Sequence, residues 1–151
     1  IATLEASSTT QAVQKVVDLG VPAGDLAQHL LLVLNQRLVR RICSACVQPS
    51  GFSERSLQLM GLSPDEAVSL SGVSQGQGCE ACSGIGYKGR IALFEVLTPG
   101  AGYRKALGKG SSEKVLEREA QKQGLHTLRM RALQGIREGR TTIEEFQKEH
   151  F

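Results

Sequence analysis

The residues of this chain best placed to do chemistry are four cysteines in two knuckles of identical spacing. Cys43-Ser44-Ala45-Cys46 and Cys79-Glu80-Ala81-Cys82 are separated by 32 residues, and the sequence holds no other cysteine. Two residues between paired thiolates let both sulfurs of a knuckle reach one ion, and two knuckles complete the tetrahedral four-thiolate shell that structural zinc takes. All four ligands are sulfur and no fifth candidate stands near. The shell is therefore expected to be closed, which predicts structural Zn2+ and no metal catalysis. The spacing leaves iron or a vacant site open as alternatives.

Two other cysteine chemistries fit less well. Small secreted disulfide domains use cysteine more densely, no signal peptide precedes the knuckles, and cysteines two residues apart would close a strained loop. A redox dithiol needs one knuckle in a thioredoxin-like βαβ setting, which leaves the second knuckle unexplained. A 32-residue gap is long for a tetrathiolate site, so the intervening residues are expected to hold a small element of their own.

The elements that must position these thiols sit in a chain of 151 residues with a net charge of +3 and a mean hydropathy of −0.14, values of an ordinary globular protein. No apolar run reaches membrane-spanning length. With no Trp, two Tyr and four Phe, the chain lacks the aromatic and basic surface that stacks single-stranded nucleic acid, so nucleic acid is not an expected partner. Ile1 in place of Met, followed at once by Ala2-Thr3-Leu4, suggests a fragment that begins inside a buried strand.

The first third reads as the end of an α/β domain. Ser7 to Thr10 offer N-cap hydroxyls, and Ala12, Val13, Val16 and Val17 follow at helical spacing until Gly20. After a turn through Val21-Pro22-Ala23-Gly24, the positions Leu26, Leu30, Val33, Leu34, Leu38 and Ile42 predict one long helix from Asp25, widened by Leu31, Leu32 and Val39. Arg37, Arg40 and Arg41 would then lie in its last turns, against the negative end of the helix dipole. His29, inside that helix, has no partner that would define a site.

Beyond the first knuckle, Pro49 and Gly51 break the chain, and Ser53 to Met60 predicts a short helix ended by Gly61. Ser63-Pro64-Asp65-Glu66 is a strong helix start, with an N-cap hydroxyl, proline at the first position and a carboxylate at the third. Gly72 to Gly78 reads as polar and flexible. After the second knuckle, Gly84, Gly86 and Gly89 permit tight turns, and Ile91 to Leu97 predicts a strand. The last third is helical: Thr98-Pro99 opens one helix, Ser111-Ser112 another ending at Gly124, Thr127 a third ending at Gly139, and the capping box Thr142 to Glu145 a last one towards His150. Gly108-Lys109-Gly110-Ser111-Ser112 fails as a phosphate loop, because the required upstream glycine is missing and Gly110 stands where Ser or Thr is needed.

Two runs resemble a known family. They are Leu34-Asn35-Gln36-Arg37-Leu38-Val39-Arg40-Arg41-Ile42-Cys43-Ser44-Ala45-Cys46 and Cys79-Glu80-Ala81-Cys82-Ser83-Gly84-Ile85-Gly86-Tyr87-Lys88-Gly89-Arg90-Ile91-Ala92-Leu93-Phe94-Glu95. In order and spacing they are similar to the type II secretion and type IV pilus assembly ATPases, the GspE/PulE/PilB-type traffic ATPases. The likeness covers nearly the whole chain, from Ala2-Thr3-Leu4, which resembles the strand of the family's histidine box, to Gly139-Arg140-Thr141-Thr142 and Glu145.

That resemblance implies a piece of a homo-hexameric, RecA-like motor that powers pilus or pseudopilus extension. The motor would be cytoplasmic, peripheral to the bacterial inner membrane, and partnered by inner-membrane platform proteins. The implied fold is α/β plus α: residues 1–42 as the end of a RecA-like ATPase domain, 43–95 as a tetracysteine zinc module, and 96–151 as a helical subdomain. Cys43, Cys46, Cys79 and Cys82 are the metal ligands, and Gln36 and Arg37 fall near the nucleotide in such a motor, with an exposed helix end as the alternative. No Gly-x-x-x-x-Gly-Lys-Ser/Thr occurs in this sequence, so ATP and Mg2+ belong to the longer parent and no catalytic residue is expected here. A zinc-stabilised docking module, or a zinc-ribbon nucleic-acid binder, are the alternative functions.

One position departs from the pattern. The family's histidine box reads Thr-Leu-His-Thr/Ser-Asn, whereas Thr3-Leu4 is followed here by Glu5-Ala6-Ser7. A carboxylate there would repel nucleotide phosphates. A divergent or impaired ATPase, a different role for Glu5, and altered sequence at the fragment's boundary all remain open.

Overall fold

A computed structural model describes residues 1–50, 53–59, 61–70 and 72–149. Gly51, Met60 and His150, named above as a break and as helix ends, lie outside them. The chain is mixed α/β and divides into two compact units, one of residues 1–36 with 94–128 and one of 37–93 with 129–151.

The first unit opens on extended but unpaired chain. The strand expected over Ile1 to Leu4 does not form: a strand needs a hydrogen-bonded neighbour, none lies alongside among the described residues, and Ile1 and Leu4 are exposed. Helix α1 (Thr9–Asp18) then starts as its caps dictate, with Ser8 Oγ accepting from the Gln11 amide and Gly20 beyond its end at φ +99°. Helix α2 (Ala23–His29) is short.

The long helix expected from Asp25 is wrong beyond His29. Residues Val33–Ile42 form strand β1, whose inner and outer positions alternate in burial. The positions Val33, Leu34, Leu38 and Ile42 also fit a helical stripe, and hydrogen bonding to strand β4 (Tyr87–Leu97) decides for the strand. Arg37, Arg40 and Arg41 therefore lie on a strand and cap no helix.

The first unit's core forms where α2 packs on α5 (Ala101–Gly108), α5 on α6 (Glu113–Lys122), and α1 on α6. It contains Val13, Ala27, Leu97, Tyr103, Leu107, Leu116, Ala120 and Leu125, with Val17, Leu26 and Val33 packed against it. Two side chains pin backbone ends here. Arg104 donates to the carbonyls of Ala27, Gln28, Leu30 and Pro99, which satisfies the bare C-terminus of α2. Glu95, 3% exposed, accepts from Thr9 N at 2.7 Å, Thr9 Oγ1 at 2.6 Å and Leu128 N at 3.0 Å. One carboxylate thus caps the first residue of α1 and the first of α7 (Leu128–Arg137).

The second unit holds the cysteines. Strand β2 (Val47–Pro49) pairs antiparallel with β3 (Ser74–Gly76), Val47 opposite Gly76 and Pro49 opposite Ser74. The segment read as flexible, Gly72 to Gly78, therefore contains a short strand. Between the two strands lie α3 (Glu54–Leu59) and α4 (Pro64–Ser69), the latter with the expected reciprocal box between Ser63 and Glu66. Leu57, Leu62, Ala67, Leu70 and Val73 bury the apolar side of this insertion. Helix α8 (Ile143–Lys148) begins at Thr142, whose hydroxyl accepts from the Glu145 amide. The Glu145 carboxylate is turned instead to Arg40, accepting from its amide at 2.8 Å and its Nε at 2.7 Å.

Candidate metal centre

The first knuckle follows directly on β1; the second, itself closed by a 3-10 turn at Glu80–Cys82, leads into β4 through residues 83–86. Local hydrogen bonds fold each knuckle onto itself: the Cys46 amide donates to the Cys43 carbonyl, and the Cys82 and Gly84 amides to the Cys79 carbonyl. Ser83 takes the left-handed conformation at φ 53°, and Gly84 and Gly86 follow at φ +79° and +78°. Cross-links join the two: the Cys43 amide donates to Gly86 O at 2.9 Å, and the Gln77 amide to Cys46 O at 3.0 Å.

Backbone meets backbone where β3 passes the second knuckle. A Cβ on Gly76 would lie 2.0 Å from Gly86 O, and one on Gly78 would lie 2.4 Å from Gly84 O. Two Gly-x-Gly triplets, 76–78 and 84–86, thus cross in opposite directions with no room for a Cβ at Gly76, Gly78 or Gly86, whereas Gly84 has open space around it. Sequence reading found the turn role of Gly84 and Gly86 and missed their counterparts; the mirrored spacing of the triplets was the available signal.

This frame brings the four sulfurs together, all within 4.8 Å of one another. Cys43 to Cys79 is 3.9 Å, Cys46 to Cys82 3.8 Å and Cys79 to Cys82 3.7 Å. Four sulfurs about 2.3 Å from a central zinc in tetrahedral geometry stand about 3.8 Å apart, whereas disulfide sulfurs stand about 2.0 Å apart. The donor set and its spacing fit a single tetrahedral ion. Cys43 and Cys82 are buried, while Cys46 and Cys79 are half-buried.

The thiols are not equivalent. The Cys82 sulfur accepts from the amides of Cys79 and Gly86 at 3.2 and 3.3 Å, and these donors, that of Cys79 foremost, hold its pKa down to about 6 against the effect of burial. Burial instead pushes the neighbouring Cys46 up to about 11.

Gln36 and Arg37 lie on β1, the first exposed and the second half-buried, at the point where the chain passes from the first unit to the second. Glu5 is exposed on the coil before α1, and His29 is an exposed helix end. Glu95 appeared in the sequence only as the last letter of a motif. A carboxylate at an inward register between Leu93 and Leu97 was the signal that it must find buried donors.

A mixed α/β chain with a preformed tetrathiol cluster is the class that fold and site define. The family described as Type II/IV secretion system protein matches residues 1–148, and the chain belongs to that family of secretion and pilus assembly ATPases. Among its relatives, the Type IV pilus assembly ATPase PilB of Thermus thermophilus is 37% identical over 145 residues, 96% of this chain and 16% of that protein. PilB of Myxococcus xanthus is 32% identical over 96% of this chain and 26% of its own length. The Type II secretion system protein E of Pseudomonas aeruginosa is 32% identical over 96% of this chain and 28% of its own. The chain thus spans between a sixth and somewhat over a quarter of these relatives. Among the described residues, no helix is long and apolar enough to cross a membrane.

Proposed function

We propose that this chain is the zinc-binding C-terminal region of a secretion or pilus assembly ATPase that powers pilus or pseudopilus extension. Cys43, Cys46, Cys79 and Cys82 hold one zinc ion, and the observation that carries this is the spacing of their sulfurs. A shell of four thiolates leaves no open position, so the ion supplies a cross-link and no Lewis acid. Its work is folding: it ties two segments around an insertion whose own apolar content is small.

Its likeness to pilus assembly and secretion ATPases supports the motor reading. Residues 1–42 would be the end of a RecA-like ATPase domain, 43–95 the zinc module and 96–151 the helical subdomain, with Gln36 and Arg37 nearest the nucleotide. Hexamer assembly, ATP and Mg2+ binding, and a place at the cytoplasmic side of the inner membrane belong to the parent protein. The chain by itself binds zinc and does not hydrolyse ATP. Elemental mass spectrometry on protein purified without added metal, read with native mass, tests this. One zinc per chain supports the reading, and its absence with free or paired thiols overturns it.

A second reading is favoured by two exposed apolar residues flanking the knuckles, Val47 and Ile85, 42% and 64% exposed. These could give the zinc module a contact with the inner-membrane platform proteins. A pulldown lost on zinc removal supports it, and binding only through other parts of the parent sinks it.

A further inference from the structure

Gly86 is held from both knuckles. Its amide donates to the Cys82 sulfur at 3.3 Å and its carbonyl accepts from the Cys43 amide at 2.9 Å. An ion that gathers Cys43 and Cys82 onto one centre therefore fixes both anchors of Gly86. The next residue is Tyr87, the first of β4. Its hydroxyl lies 2.8 Å from that of Thr142, the cap of α8, and the Arg40 guanidinium sits over its ring, 4.0 Å from the centroid.

The first knuckle reaches the same helix from the other strand. The Ile42 amide, next to Cys43, donates to the Arg140 carbonyl at 3.0 Å, and the Arg40 carbonyl accepts from Thr141 Oγ1 at 2.9 Å. Arg40 also holds the Glu145 carboxylate. The start of α8 is thus tied to both strands that flank the tetrathiol cluster. With six residues, Ile143–Lys148, this helix is far below the length at which a helix is stable by itself. Its order comes from tertiary contacts, those to Tyr87 and Arg40 among them.

We propose that α8 reports the occupancy of the metal site: the loaded cluster sets Gly86, Gly86 aims Tyr87, and the contact of Tyr87 with Thr142 orders the helix. Tyr87 is then a positioning residue between cluster and helix. The inference rests on the zinc reading proposed above. Coupling of this kind is reciprocal, so whatever factor the ion adds to the order of α8, the ordered helix adds to the affinity for the ion. A contact made equally with and without the ion would carry no such coupling, which separates a relay from simple packing.

Amide hydrogen exchange tests the relay on the zinc-loaded chain and on chain stripped by a chelator. The native sequence is compared with Tyr87→Phe and with Tyr103→Phe, whose buried hydroxyl lies in the first unit. Residues 143–148 of the loaded native chain should exchange slowly and speed up when zinc is removed. Loaded Tyr87→Phe should exchange there about fivefold faster, the factor set by one hydrogen bond, and should lose zinc to a competing chelator about fivefold more readily. Once stripped, it should match the stripped native chain. Thr142→Val, which breaks the same contact from the helix side, should weaken zinc retention at least as much, and Tyr103→Phe should leave it unchanged. Native-like retention in both Tyr87→Phe and Thr142→Val, or an equal acceleration of α8 with and without zinc, overturns the proposal. A chain that takes up zinc with no effect on exchange over 143–148 sinks the relay alone; a chain that takes up none sinks the zinc reading with it.

Discussion

Arg40 and Glu145, 105 residues apart, make a three-point contact in which the carboxylate takes the backbone amide, the Nε and the Nη2 of the arginine. The guanidinium also lies 4.0 Å from the centroid of the Tyr87 ring, and the Tyr87 hydroxyl is 2.8 Å from that of Thr142, the cap of α8. One residue of β1 thereby fixes the start of the last helix within the second unit.

This contact makes stability depend on acid. Burial raises the Glu145 carboxyl pKa, but the Arg40 amide and guanidinium outweigh burial and hold it below its ordinary 4.5. A depressed folded value means that the stabilisation is complete above the unfolded value and fades as pH falls through the lower one. Denaturant unfolding from about pH 5 to about pH 3 should therefore lose more stability in the native chain than in Glu145→Gln. At neutral pH the variant should be weaker by about 2 kcal/mol, the worth of hydrogen bonds to a charged group. Equal pH slopes in the two proteins would rule the account out.

Tyr103 is fully buried, and its hydroxyl has no partner among the described residues. Burial alone drives its pKa upward. An unsatisfied buried hydroxyl costs about 1–3 kcal/mol, so Tyr103→Phe should be neutral or stabilising by about 1 kcal/mol. Thermal unfolding checks this; a clear drop in Tm would mean that the hydroxyl has a partner.

Replacing Cys43 or Cys79 by Ser should abolish zinc binding and expose the second unit to protease while the first unit stays resistant. Removing one thiolate leaves three, and a strong chelator should reproduce the cleavage pattern in the native chain. Unchanged zinc content and unchanged resistance would refute the folding role.

The crossing glycines make a sharper test, since no ligand is touched. Gly76→Ala drives a methyl group into the Gly86 carbonyl and should lower zinc retention against a chelator about tenfold or more, the scale seen when a metal site's supporting shell is disturbed. Gly24→Ala, on α2 with open space around it, should leave retention unchanged and stabilise by about 0.5–1 kcal/mol. Equal retention in the two variants would show the close approach to be dispensable.

The sequence carried local information well and long-range information poorly. The cysteine knuckles, the Ser8, Ser63 and Thr142 caps and the glycine stops are each settled within a few residues, so they were legible. Strand β1 was not, because its apolar positions Val33, Leu34, Leu38 and Ile42 fit a helical stripe as well, and its β4 partner lies some 50 residues away. Thr142 to Glu145 read as a reciprocal box, yet the carboxylate is claimed by Arg40, which adjoins it only in the folded chain. The same holds for Glu95, whose donors come from both ends of the first unit.

The two knuckles have an order in time as well as in space. Cys43 and Cys79 are 36 residues apart, and a chain made at about 5–20 residues per second needs roughly 2–7 s to go from one to the other. During that interval Cys43 and Cys46 form a two-thiol site that any soft metal can visit. Only when Cys82 has been made can four sulfurs compete for one ion, so on the zinc reading proposed above, capture would follow the making of the second knuckle.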